Sequence, residues 1–291
     1  MGAPFGRVST QVVSCRGIEV NVATSGSGPA ILLLHGFPHT WELWSRVIPE
    51  LAENHFVIAP DLRGHGGTTR AADGYDLATL SLDALALLDA LGVVEADVMA
   101  MDVGASIAFY LALVHPERTR RLVIMEAIIG DLPRPGLPDA SLPWWFGFHG
   151  VPGLAETVLE GHEDDYLGYF LDNGVRNGPL DPALRARFID AYRGKESLRC
   201  GFQFWRNLEV NAQQIDDALA DRRLIVPTLS VGSFPIGRGL HAQLQPIADN
   251  LAGELIEDCG HAIPLDRPQK LLGIIEPFLS RSSDLGSPNG R

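Results

Sequence analysis

The chain has 291 residues, 46% of them hydrophobic, enough to bury a large core in one α/β domain. Its 36 acidic residues outnumber 23 basic ones, and the net charge of −13, with no basic cluster to offset it, argues against a nucleic-acid binder. Three widely spaced cysteines (Cys15, Cys200 and Cys259) suggest neither a disulfide framework nor a zinc site.

No charged region followed by an apolar run opens the chain, and the longest apolar segments fall short of a membrane span. The expectation is a soluble cytoplasmic protein with no membrane partner. Along the chain, residues 8–14 and 18–24 read as strands joined at Arg16-Gly17. After the Gly26-Ser27-Gly28-Pro29 turn, residues 30–34 form a buried apolar run. Residues 41–51 read as helical, 55–59 as a strand and 77–91 as an amphipathic helix. Residues 98–101 and 122–125 are further buried strands. From 132 to about 210 the alternation stops and prolines, aromatics and short helical patches take over. Strands at 224–231 and 254–257 and a helix over 265–279 then restore it. Such alternation predicts a mainly parallel sheet with helices on both faces, interrupted by a helical insertion. The segments are therefore 1–131 and 211–280 for a core in two parts, 132–210 for a cap, and 281–291 for a disordered tail rich in Ser, Gly and Asn.

Between the buried strand at 98–101 and a helical pattern starting near Ser106 stands Ala100-Met101-Asp102-Val103-Gly104. This is the strand, sharp turn and helix of a nucleophile elbow, with Asp102 in the nucleophile's place and Ala100 in that of the first glycine. A carboxylate is an anion at pH 7 and attacks without a base. Its natural target is a saturated carbon bearing a leaving group, an epoxide or a carbon–halogen bond. The product is an ester on the enzyme, which water must later cleave.

Three more segments stand in order around the elbow: His35-Gly36-Phe37-Pro38, Asp61-Leu62-Arg63-Gly64-His65-Gly66, and Gly260-His261 after the last strand. Together with Asp102 they resemble the α/β-hydrolase fold, in its epoxide hydrolase and haloalkane dehalogenase branch, over nearly the whole chain. The resemblance implies Asp102 as nucleophile and His261 as the base that activates water. His35 and His65 are read as loop-shaping residues. The family places a third member, a carboxylate that orients the histidine, after either of two strands. After residue 231 the sequence runs Gly232 to Gly239 without an acid, so that place is empty. Leu122-Val123-Ile124-Met125-Glu126-Ala127 fills the other, and resembles the Met-Glu-Ala segment of a bacterial subgroup of epoxide hydrolases. Glu126 is the choice, with Asp131 second. Backbone N–H groups of Phe37 and Val103 are assigned to the oxyanion site.

Epoxide hydrolases usually offer acidic side chains from the cap, two tyrosines or a His/Tyr pair, to the leaving oxygen. Here Pro143-Trp144-Trp145-Phe146 puts Trp145 in the first donor position, and Phe204-Trp205-Arg206 puts Trp205 in the second. Two indole N–H groups suit a halide; they also suit an activated epoxide whose alkoxide needs only hydrogen bonds. Simple packing of the cap is the plain alternative. Trp144, Phe146 and Phe148 are read as a surface on which an aromatic substrate stacks. Tyr166, Tyr169, His149 and His162 lie in the cap too, where any of them could supply a proton, and a surface placement is the reading for each.

The reading is a hydrolase acting on ether bonds, an epoxide hydrolase that forms a vicinal diol from an apolar or aromatic small molecule. A haloalkane or haloacid dehalogenase with the same three residues is the first alternative, and a non-catalytic ligand-binding protein the second. No metal-binding or cofactor-binding pattern occurs, so no cofactor is expected. A homodimer is an assembly state left open.

Overall fold

The computed structural model describes residues 8–135 and 142–280; the tail expected at 281–291 lies outside them. β1 (Ser9–Cys15) and β2 (Ile18–Ser25) form an antiparallel hairpin. Its two-residue turn, Arg16-Gly17, has both φ angles positive (49° and 76°), which matches the twist of the paired strands. β3 (Ala30–Leu34), β4 (Phe56–Pro60), β5 (Ala96–Met101), β6 (Thr119–Met125), β7 (Thr228–Gly232) and β8 (Leu251–Leu255) complete an eight-stranded sheet. Its order is β1-β2-β4-β3-β5-β6-β7-β8, parallel from β4 to β8. β3, β5 and β7 are buried at every position, as strands covered on both faces must be.

α1 (Ile48–Leu51), α2 (Leu77–Ala90) and α3 (Val103–Val114) belong to the first part of the chain. α3 packs on β5, β6 and α2. Between β6 and β7 the described residues form helices, α4 (Trp144–Gly150), α5 (Leu154–Leu159), α6 (Glu163–Asn173), α7 (Pro182–Ala191), α8 (Lys195–Gly201), α9 (Gln203–Arg206) and α10 (Leu208–Leu219), and one isolated β-bridge, Leu224 to Ala248. α11 (Gly239–Leu244), α12 (Ile263–Asp266) and α13 (Pro268–Leu279) follow. Residue 210, the expected end of the insertion, falls within α10, which packs on α2 and α3.

Four elements depart from expectation. The helical run expected at 41–51 is split into a 3-10 turn, Trp41–Trp44, and the short α1. β7 begins only at Thr228, since Pro227 has no N–H for the ladder. β8 lies three residues earlier than the 254–257 run and takes in Gly253, where a Cβ would clash with the His241 ring. The helix expected over 265–279 breaks before Pro268, which starts α13 at its first turn.

The segment after β4 is fixed by two buried acids. Asp61 accepts hydrogen bonds from Trp41 N (2.9 Å), Gly67 N (2.8 Å) and Asn21 Nδ2 (2.8 Å). Arg63 forks onto Asp83 of α2 through Nε (2.7 Å) and Nη2 (2.9 Å), with both side chains buried. Breaking such a pair strands a charge in the interior. Asp83→Ala is therefore expected to cost about 3 kcal/mol and to lower Tm by roughly 6–12 °C, read by calorimetry. An unchanged Tm would mean that Arg63 finds water instead.

Candidate active site

Asp102 joins β5 to α3 with φ 55° and ψ −127°, a conformation that costs a non-glycine residue about 1–3 kcal/mol. The turn is held by Asp102 N donating to Met125 O (3.1 Å) and Ala105 N to Asp102 O (3.0 Å). It fits only because its neighbours are glycines. A Cβ on Gly104 would lie 2.4 Å from His35 O, and one on Gly36 would lie 2.3 Å from Asp102 Cβ. Phe37 N donates to Asp102 Oδ1 at 2.9 Å, and Val103 N also donates to this carboxylate. Both N–H groups assigned to the oxyanion site thus meet at one oxygen-bearing group.

Oδ2 of Asp102 faces His261 Nε2 at 3.5 Å, and His261 Nδ1 faces Glu126 Oε2 at 3.2 Å. Glu126 is fully buried at the end of β6, with φ 48°. Its Oε1 accepts Ser233 N at 2.6 Å, from the loop after β7 where the acid is missing. That loop contributes N–H groups in place of a carboxylate. Asp131 is exposed and makes no hydrogen bond to His261 among the described residues.

Burial opposes charge on Asp102 and His261, but their partners win. For Asp102, desolvation raises the pKa, and the His261 hydrogen bond and charge with the two N–H donors bring it below the usual carboxylate range. For His261, burial lowers it, and the two carboxylates outweigh burial and lift it from 6.5 to about 10. A raised folded-state pKa means that proton binding favours the fold. That stabilisation is complete below pH 6.5 and is lost as pH climbs toward 10. Tm should therefore fall across this window by more in the wild type than in His261→Gln, compared by calorimetry at several pH values. Parallel profiles would refute the coupling.

A cavity of about 970 Å³ opens above Asp102 and His261, between the sheet's C-terminal edge and the inserted helices. Trp145 and Trp205 both line it, as do Phe146 and Phe170. Trp205 is 6% exposed, its ring edge-on to Phe37 at 5.0 Å, and its Nε1 has no partner. An unpaired buried donor is costly, and no group of the packed chain relieves it here. Trp144 does not belong with them. It is 58% exposed, stands off the cavity and packs on Trp145, Phe148 and Tyr166. The expected substrate-binding role of Trp144 has no geometric support, because adjacent residues on α4 point about 100° apart. Phe148 likewise stands off the cavity.

An alpha/beta hydrolase fold family model matches residues 29–268. The soluble epoxide hydrolase of Corynebacterium sp. strain C12 is 32% identical over 91% of this chain and 94% of its own. A 2-hydroxymuconate semialdehyde hydrolase of Pseudomonas sp. strain CF600 is 42% identical over 91% and 92%. Among solved structures, the epoxide hydrolase CorEH superposes with a TM-score of 0.85 at 30% identity, covering 94% of this chain and 99% of that one. The chain belongs to the α/β-hydrolase family, in its epoxide hydrolase branch.

Several polar groups of this hydrolase escaped the sequence reading. Ser233 was passed over because its backbone, not its side chain, holds Glu126. His39 lines the cavity with both ring nitrogens unpartnered, and burial, reinforced by the His261 charge, drives its pKa down to about 3. His149 and Tyr166 are not on the outer surface: His149 is buried, Tyr166 half-buried, and they share a 2.5 Å hydrogen bond between α4 and α6. Only Tyr169 and His162 of that group are exposed. A pair 17 residues apart on two short helices leaves no periodic signal. His35 sits in the loop as expected, its Nε2 accepting Leu62 N at 3.0 Å. No helix of the described residues is long and apolar enough to cross a membrane, and no cluster of three or more His, Cys, Asp or Glu among them could hold a metal.

Proposed function

We propose that the enzyme opens an epoxide on an apolar or aromatic body to a vicinal diol, through an ester on Asp102. The carrying observation is the line Asp102–His261–Glu126 beneath a large, mainly apolar cavity. Asp102 Oδ1 is tied to Phe37 N, which leaves Oδ2 as the attacking oxygen on the cavity side. Attack forms the Oδ2–carbon bond and breaks the ring carbon–oxygen bond. The indole N–H groups of Trp145 and Trp205 hydrogen-bond the departing alkoxide. Esterification removes the Asp102 charge that helped raise the His261 pKa. The proton His261 then gives up balances the one the alkoxide takes from solvent.

Neutral His261, oriented by Glu126, next takes a proton from water that adds to the ester carbon. The Oδ1 oxyanion formed there is already held by the Phe37 N–H at 2.9 Å, with the Val103 N–H donating to the same carboxyl group. Collapse releases the diol and restores the carboxylate. An acyl substrate fits this site poorly, since a carboxylate attacking an acyl carbon would form an anhydride. Trp145 and Trp205 on the cavity wall also suit a halide, which supports a dehalogenase as the second reading.

His261→Gln tests both. With a panel of aryl epoxides and haloalkanes, the intact protein should gain the mass of a whole epoxide, placed on Asp102 by peptide mapping. A gain of an alkyl group without its halogen would establish the second reading. No adduct from any compound would remove Asp102 from the mechanism.

A further inference from the structure

The nucleophile and the base are held by different parts of the chain. The bonds that fix the Asp102 turn come from Phe37, Val103, Ala105 and Met125, all in the core. The residues on both sides of His261 are instead tied to the inserted helices. Ala262 N, just after it, donates at 2.8 Å to the carbonyl of Gly174, the residue that ends α6. Gly260 N, just before it, donates to Asp266 Oδ2 at 2.6 Å. Oδ1 of the same carboxylate accepts Arg176 N at 3.0 Å and Asn177 N at 2.8 Å, from the connection between α6 and α7. The Asn177 amide adds two ties, Nδ2 donating to Asp266 Oδ2 and to Asp258 O, each at 3.1 Å. The two loops meet closely because residue 260 is a glycine: a Cβ there would lie 2.5 Å from Gly174 O.

Asp266 closes α12 and is buried. Burial raises its pKa, but the N–H donors of Gly260, Asn177 and Arg176 outweigh burial and hold it below the usual carboxylate range. It therefore stays charged, and hydrogen bonds to an ionised acceptor are about twice as strong as neutral ones. Gly260 is gripped at its other end too. Ser233 Oγ donates to Gly260 O at 2.7 Å, while Ser233 N holds Glu126. The imidazole's own partners are Asp102 and Glu126, so Asp266 acts on it through the backbone of Gly260.

We propose that Asp266 is a positioning residue for His261, carrying the seating of the inserted helices to the base, so that the cap is coupled to ester hydrolysis and not to alkylation of Asp102. Which step it governs rests on the ester mechanism proposed above; that it orients the base does not.

Asp266→Asn tests the coupling, because an amide offers an oxygen on one side only. Its NH2 must face either Gly260 N or the N–H groups of Arg176 and Asn177, and either way the tie is cut. Rapid-quench reactions with styrene oxide, followed by intact-protein mass, separate the two steps. Ester formation should stay within about threefold of wild type, and ester hydrolysis should slow by about 10–100-fold, the order of loss that an ångström of misplacement brings. Asn177→Ala keeps the Asp266 charge and the backbone bonds, and should slow hydrolysis alone by several-fold. Equal slowing of both steps, or hydrolysis at the wild-type rate, would overturn the proposal. A slowing in Asp266→Asn alone would assign the effect to lost charge and overturn the tie to the cap. Should Asp266→Asn not fold, Asn177→Ala decides by itself.

A measurement without substrate separates this failure from failure of the ester mechanism. In spectra of protein labelled with nitrogen-15 histidine, the His261 Nδ1 resonance reports its contact with Glu126. It should shift in both variants, and further in Asp266→Asn. That result upholds the positioning role even if styrene oxide forms no ester. A resonance unmoved in either variant would overturn it even if hydrolysis slows.

Discussion

Asp102→Asn is expected to lower kcat for epoxide opening by about 10⁴-fold or more, with little change in fold. Asn is nearly the same shape as Asp and is one of the few side chains that tolerates a positive φ such as the 55° found here. Its carbonyl oxygen can still accept from Phe37 N and Val103 N. What disappears is the negative charge, and with it the nucleophile. The same substitution removes one of two carboxylates that raise His261, so its pKa should drop from about 10. Diol formation followed by chromatography measures the first effect, and imidazole titration by NMR the second. Turnover within tenfold of wild type would mean that another group attacks the substrate.

Glu126→Gln is expected to act on a different step. The amide still accepts from Ser233 N but offers His261 no negative charge. The imidazolium formed as water attacks then loses its stabilising partner. By analogy with the orienting acid of other triads, ester hydrolysis should slow by about 10³–10⁴-fold, while alkylation changes far less. Rapid-mixing kinetics would then give a burst of one equivalent followed by slow turnover. A loss of the burst itself would place Glu126 in the first step. Equal rates would show that the glutamate only supports the loop after β7.

Much of this was legible because it depends on local chain order. Buried strands are continuous apolar runs, so β3, β5 and β6 could be placed within a few residues. The elbow was readable because only a strand, a tight turn and a helix with glycine at its second position allow Gly104 to approach the carbonyls of Leu34 and His35. His261 followed from its place after the last strand. Glu126 followed from the resemblance, which allows the acid after either of two strands and matches Met125-Glu126-Ala127, and the structure brings it within 3.2 Å of His261. β8 was placed three residues late; it takes in Gly253, where a Cβ would clash with the His241 ring.

The sequence by itself determined the sheet, the elbow and the identity of three residues that meet there. Those rest on backbone geometry and on connections that the strand order leaves little freedom to vary. Tertiary structure alone decided which aromatic residues face the cavity. In a run of short helices each side chain's direction depends on how its helix is rotated against its neighbours, and no period in Trp144-Trp145-Phe146 records that rotation. Tertiary structure likewise decided that Trp205 Nε1, Asn211 Nδ2 and His149 Nδ1 stay without a partner while both ends of the Gln214 amide are used. A hydrogen bond is satisfied or left open by groups tens of residues away, and only the packed chain brings them within reach.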